Sequence, residues 1–97
     1  MPYQIVLAPE AVEDLRALRA NLRAAVRRAP EIHLQDEPGK TSRGRIKRLR
    51  GLRRPQYRLR VGETRVFYYI SGSVVQIRAI VTKSEAEAWL KRFGDPA

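Results

Sequence analysis

Residues 56–81, QYRLRVGETRVFYYISGSVVQIRAIV, decide the fold. Val61-Gly62-Glu63-Thr64 and Ser71-Gly72-Ser73 divide this stretch into three runs: Gln56 to Val61, Thr64 to Ile70 and Val74 to Val81. Each run is short, rich in β-branched or aromatic residues and bounded by turn formers, which is the pattern of a strand. The links have hairpin lengths and place glycine where a positive φ is needed, so the runs form an antiparallel meander. Successive side chains of a strand point to opposite faces. Tyr57, Leu59 and Val61 therefore face inward, and Arg58 and Arg60 face outward. If Val66 and Tyr68 face the core, then Arg65, Phe67 and Tyr69 lie on the same outer face as that basic pair.

Outward from this meander, Ile46 to Leu52 reads as a further strand. It follows Asp36 to Gly44, DEPGKTSRG, whose turn formers predict an exposed, mobile loop. Near the amino terminus Tyr3 to Leu7 alternates as a first strand. Pro9 then opens a helix, with Val12, Leu15, Leu18, Leu22 and Val26 on one face. That helix ends or kinks at Pro30, with Glu31 to Gln35 available for a further turn, and a bend near Asn21 would make it a hairpin. At the other end Ser84 and Glu87 have the spacing of a capping box, Lys91 and Arg92 fill a last turn and Gly94 marks the stop. A helix is expected over Ser84 to Phe93, with Trp89, Leu90 and Phe93 as its apolar stripe. These elements make one α+β domain over residues 1–97. It is an antiparallel sheet of four to five strands with an N-terminal helix or helical hairpin and a short C-terminal helix.

The charge balance points to the class of partner. Twenty Lys and Arg face ten Asp and Glu, a formal net charge of +10, which suits a polyanionic or acidic partner. Half of the basic residues lie between Arg43 and Arg65, where Glu63 is the only acid. Charge that serves only solubility is usually interspersed in sign. Most of this cluster is arginine, whose planar fork binds phosphate through two bonds and stacks on bases. Zero cysteines exclude a disulfide framework and thiolate catalysis, and with one histidine they leave too few ligands for zinc. No metal and no cofactor are expected. His33 lies far along the chain from the basic strands and reads as a surface or packing residue. No G-x-S-x-G element is present, so a serine triad is rejected. There is no bilayer-length apolar run and no signal-peptide pattern at the start, so the expectation is a cytoplasmic protein with no membrane partner.

Two strings in this order carry a resemblance: Gly44-Arg45-Ile46-Lys47-Arg48-Leu49-Arg50-Gly51-Leu52, then Tyr57-Arg58-Leu59-Arg60-Val61-Gly62-Glu63-Thr64-Arg65-Val66-Phe67-Tyr68. They resemble the RelE/ParE toxin superfamily, over about residues 3 to 92. LAPEAVEDL is similar to the family's entry into its first helix, and IVTKSEAEAWL to one variant of its carboxy-terminal segment. The resemblance implies the toxin of a type II toxin–antitoxin system, neutralised by a cognate antitoxin. In the RelE branch such a toxin cleaves messenger RNA in the ribosome and so blocks translation. By position, Arg58 and Arg60 match the family's paired basic residues, Arg65 the arginine assigned to the scissile phosphate, and Lys83 a basic residue beyond the last strand. Ser84 stands where a second catalytic arginine is common, and Trp89 or Leu90 where a tyrosine is common.

Metal-free RNA cleavage drives a 2′-hydroxyl onto the adjacent phosphate, so it needs a proton acceptor, a proton donor and cations for the developing charge. Arginine is a fixed cation and supplies only the last. The expected catalytic set is Arg58, Arg60, Arg65 and Lys83, with Arg65 exposed among the converging guanidiniums. Arg45, Lys47, Arg48, Arg50, Arg53, Arg54 and Tyr69 are the expected RNA contacts. The partners on this reading are the antitoxin, the ribosome and messenger RNA. A ParE-like toxin that inhibits DNA gyrase by protein binding, and a catalytically weak RNA-binding member, remain as alternatives.

Overall fold

In the computed structural model, which describes residues 2–97, the chain runs as follows: β1 (Gln4–Leu7), α1 (Pro9–Arg16), α2 (Ala20–His33), β2 (Ile46–Arg48), β3 (Leu52–Arg54), β4 (Tyr57–Val61), β5 (Thr64–Ser71), β6 (Val74–Thr82), α3 (Lys83–Phe93) and β7 (Asp95–Pro96). The main sheet has the order β1-β6-β5-β4-β2, and β3 pairs separately with β7. The meander β4-β5-β6 is antiparallel as its turns require, with Gly62 and Gly72 both at φ 59°. β2 adds antiparallel to β4. β1 joins β6 in parallel, so the sheet is mixed at that edge. The long path through both helices and β2 lets the chain return beside β1 in the same direction, which a hairpin could not do.

The N-terminal helical region is a hairpin. α1 stops at Arg16 and α2 starts at Ala20, a few residues before the expected bend. Pro30 does not end α2, which continues to His33. The expected strand from Ile46 to Leu52 divides into β2 and the start of β3, with Gly51 at φ 76° between them. The core lies between the helical hairpin and one face of the sheet. It contains Ala11, Leu15, Val26, Leu59, Val66, Tyr68, Val75 and Ile77, most of them at the positions assigned by alternation and helical spacing. β1 ends at Leu7, before β6 does, and Asp14 of α1 takes over the bare edge by accepting a hydrogen bond from Ile80 N at 2.9 Å.

The loop before β2 is exposed, but it is tethered. Pro38 is fully buried, and the Tyr68 hydroxyl donates to its carbonyl at 2.6 Å. Among the described residues, no helix is long and apolar enough to cross a membrane.

Candidate nucleic-acid interface

The β4–β5 register sets Arg58 opposite Phe67 and Arg60 opposite Arg65, so these four side chains share the outer face. α3 leaves the end of β6 and folds back over that face. The Trp89 ring stacks on Phe67 with centroids 5.2 Å apart and planes 9° from parallel, and Phe67 is fully buried beneath it. The helix covers only part of the face. Between α3 and the sheet is a groove of about 350 Å³ whose lining includes Lys47, Arg58, Arg65, Phe67, Lys83 and Glu87. Lys47 and Arg58 also line a second depression along β2 that adds Arg43, Arg48 and Arg50. The two depressions share residues, so together they form one cationic trough.

Arg58 is the trough cation whose hydrogen bonding is left incomplete among the described residues. Its Nε is buried without a hydrogen-bond partner. Desolvation first, then the charges of Arg65 and Arg60, hold its guanidinium below the usual arginine range. An anion in the groove beside the guanidinium would offset both repulsions. The ion pairs among the described residues are Arg16–Glu13, Lys40–Glu37 and Arg78–Asp95, and none of them engages a trough cation.

Arg65 departs from expectation, being 6% exposed. Its Nη1 donates to Gly62 O at 2.8 Å and to Thr64 O at 3.1 Å, so the side chain ties down its own hairpin. The outer face is covered at this end by the start of α3, which strand alternation cannot foresee. Lys83 is exposed at the first position of α3, and its backbone N–H donates to Glu63 O at 2.8 Å. That bond fixes the helix start on the β4–β5 hairpin and brings Lys83 to the groove.

The cap of α3 also differs from its expected register. The helix begins at Lys83, with Thr82 as the capping residue, and the Thr82 hydroxyl donates to Glu85 Oε1 at 2.8 Å. Thr82 ends β6 in an extended conformation, so the helix can start two residues before the Ser84-x-x-Glu87 spacing would put its first turn. Glu87 is thereby released from capping and lines the groove, exposed and, among the described residues, without a hydrogen-bond or ion-pair partner.

No protein-family model and no curated protein matches the sequence. Solved structures do match. The toxin–antitoxin complex RelBE2 from Mycobacterium tuberculosis is similar at 26% identity and TM-score 0.69, over 84% of this chain and 99% of that one. The RelB–RelE complex from Methanococcus jannaschii is similar at 19% identity and TM-score 0.66, over 87% and 96%. A double arginine-to-alanine mutant of E. coli toxin RelE in the free state is similar at 17% identity and TM-score 0.63, over 96% and 99%. This chain is RelE-like.

The RelE-like fold gathers only some of the residues singled out in the sequence. Lys47, Arg58, Arg65 and Lys83 meet in the groove, and Arg50 extends it. Arg60 is exposed beyond it, with its guanidinium near Gly44. Arg48 stacks over the Tyr57 ring at 5.1 Å and donates to its hydroxyl at 3.0 Å, which closes one edge of the core. Arg45 faces elsewhere: with burial as the larger cause, its charge holds the His33 imidazole below the usual range. Arg54 covers the half-buried Tyr69 ring at 4.4 Å, and Arg53 is exposed on β3 beside it. Of Tyr68 and Tyr69, it is Tyr68 that enters the core, stacked on Tyr57 with centroids 5.4 Å apart. Glu87 is the groove residue that sequence reasoning assigned to another task. Its available signal was the spacing Lys83-x-x-x-Glu87, which puts both on one helix face.

Proposed function

We propose that this RelE-like protein is the toxin of a type II toxin–antitoxin pair and that it cleaves ribosome-bound messenger RNA without a metal ion. The observation that carries the reading is Arg58. Its guanidinium lines the groove, partly desolvated and repelled by Arg65 and Arg60, and an RNA phosphate there would offset that repulsion. The trough then gives the strand a path past Lys47 and Arg50 on one side and Lys83 on the other. Arg58 and Arg65 act as fixed cations for charge developing on the phosphate. Arg65 does so from a backbone-anchored position, which reduces the reorganisation needed as that charge forms.

The similar proteins from Mycobacterium tuberculosis and Methanococcus jannaschii were solved as complexes with an antitoxin, which supports a cognate antitoxin here. A partner of that kind for this chain would be an acidic, amphipathic segment that folds on binding across the trough and α3.

Induction of the protein in a bacterium tests the reading. The expected result is growth arrest with transcripts cut at codon positions on ribosomes, relieved by co-expression of an acidic product of the adjacent reading frame. Arrest with intact transcripts and failing DNA supercoiling would replace it with gyrase inhibition.

A further inference from the structure

The arginines of the groove leave one chemical role unfilled. Cleavage through the 2′-hydroxyl needs a group that accepts its proton, and arginine cannot do this. Ser84 and Trp89 cannot either: a serine hydroxyl is a very weak base, and the indole N–H only donates.

From the geometry we infer that Glu87 is the proton acceptor of the groove, a role that rests on the ribonuclease reading above. Among the described residues it is the only carboxylate lining the space that also contains Arg58, Arg65, Lys83 and Lys47. It lies one helical turn after Lys83, so both side chains project from the same face of α3 toward the sheet. Its freedom has a structural cause. Thr82 and Glu85 pair at the helix start, and Glu87 is left without a hydrogen-bond or ion-pair partner among the described residues. An uncompensated carboxylate within a trough that is otherwise cationic has no role in binding a polyanion, since it repels the phosphates. It suits a base that must be ionised, exposed and unencumbered.

In the proposed step the 2′-oxygen attacks phosphorus while a Glu87 carboxylate oxygen takes the 2′-proton. The bond from phosphorus to the 5′-oxygen breaks, and the Lys83 ammonium protonates the leaving oxygen. A 2′,3′-cyclic phosphate and a 5′-hydroxyl result. Proton transfer from Glu87 to Lys83 through solvent restores both groups. Arg58 and Arg65 hold the phosphate and move no proton.

The test is single-turnover cleavage on programmed ribosomes by the full chain, its Glu87→Gln variant and Glu85→Gln as the same charge change on the same helix. Glu87→Gln is expected to bind RNA as tightly as the parent or more tightly. It should cleave about a hundredfold or more slowly, the usual size of a lost general base, and lose the acid limb of the pH–rate profile. Glu85→Gln should retain the parent rate and profile. If Glu87→Gln cleaves at the parent rate with the same acid limb, the base assignment falls and the ribonuclease reading stands. If the parent chain itself leaves the transcript intact, both fall together.

Discussion

Arg65 illustrates what side-chain alternation specifies and what it omits. Its face was legible in the sequence, because Val66 and Tyr68 had to enter the core. Its burial was not, since that depends on α3 and on the carbonyls of Gly62 and Thr64. An exposed arginine could be removed at little cost to the fold, whereas this one leaves carbonyls without their donor. Arg65→Ala should therefore lower unfolding free energy by about 1 to 3 kcal/mol. Urea titration would show this as an earlier midpoint, with Arg60→Ala unchanged. An unshifted midpoint for Arg65→Ala would mean that the two carbonyl bonds contribute nothing. Tyr68 makes a pH-dependent counterpart. Burial first, then the neighbouring Tyr57, push its phenol well above the usual value of 10.0. The folded state thus keeps this proton where the unfolded chain loses it. Its contribution to stability is complete below pH 10 and declines as pH rises from there toward the raised folded value. Tyr68→Phe should lose about 1 kcal/mol at neutral pH with the bond to Pro38. The variant should also show a shallower fall in stability above pH 10, and a parallel fall in both proteins would remove the assignment.

At the scale of elements, the strands and hairpins of 56–81 were readable because period-two alternation and glycine turns are local signals. Placement of α3 was less so. Its stripe of Trp89, Leu90 and Phe93 indicated packing, but not that Phe67 of the outer sheet face would be the partner. Nor did the sequence show that residues after Gly94 would return to pair with β3. That return depends on a close approach: a Cβ on Gly94 would stand 2.6 Å from Leu90 O and 3.0 Å from a Leu52 methyl. β7 then pairs with β3, and Ala97 N donates to Gly51 O at 3.0 Å. α3 is consequently held at two points, by Trp89 in its middle and by this clasp at its end. Trp89→Ala removes the first and exposes Phe67. Half-burial of Trp89 puts the expected loss below the 3 to 5 kcal/mol typical of a fully buried aromatic, at roughly 2 kcal/mol. The effect should be local. Hydrogen exchange is expected to quicken across Lys83 to Phe93 while the β4–β5–β6 amides keep their protection. Equal loss of protection in the central strands would show instead that α3 and the sheet unfold as one unit.

For the whole molecule, the net charge of +10 announced a polyanionic partner without saying where it would lie. Folding separates the basic cluster into unlike groups. Arg48 and Arg54 are stacked on Tyr57 and Tyr69, Arg65 is tied to its hairpin, and of the cations lining the trough Arg43, Lys47, Arg50 and Arg58 are left without such a ring or backbone anchor among the described residues. Sequence reading treated these cations as equivalent because cation–π partners and backbone anchors are made by contacts between strands, which composition does not encode. Salt dependence can separate them. Each phosphate neutralised by a protein cation releases condensed counterions, so the logarithm of affinity for single-stranded RNA falls against the logarithm of salt concentration by about 0.7 per contact. Lys47 is exposed, free of ion pairs among the described residues, and common to both halves of the trough. Lys47→Ala should therefore reduce that slope by about 0.7 and leave the urea midpoint where it was. Arg19, exposed on the helical side of the molecule and absent from the trough lining, serves as the comparison, and Arg19→Ala should keep the parent slope. Fluorescence anisotropy with a short uncleavable 2′-deoxy-substituted strand, taken across a range of salt, reads both. If the two variants lose the same increment, the strand is held by the field of the whole molecule and follows no defined path. If only Lys47→Ala loses it, the phosphates follow the trough between β2 and α3.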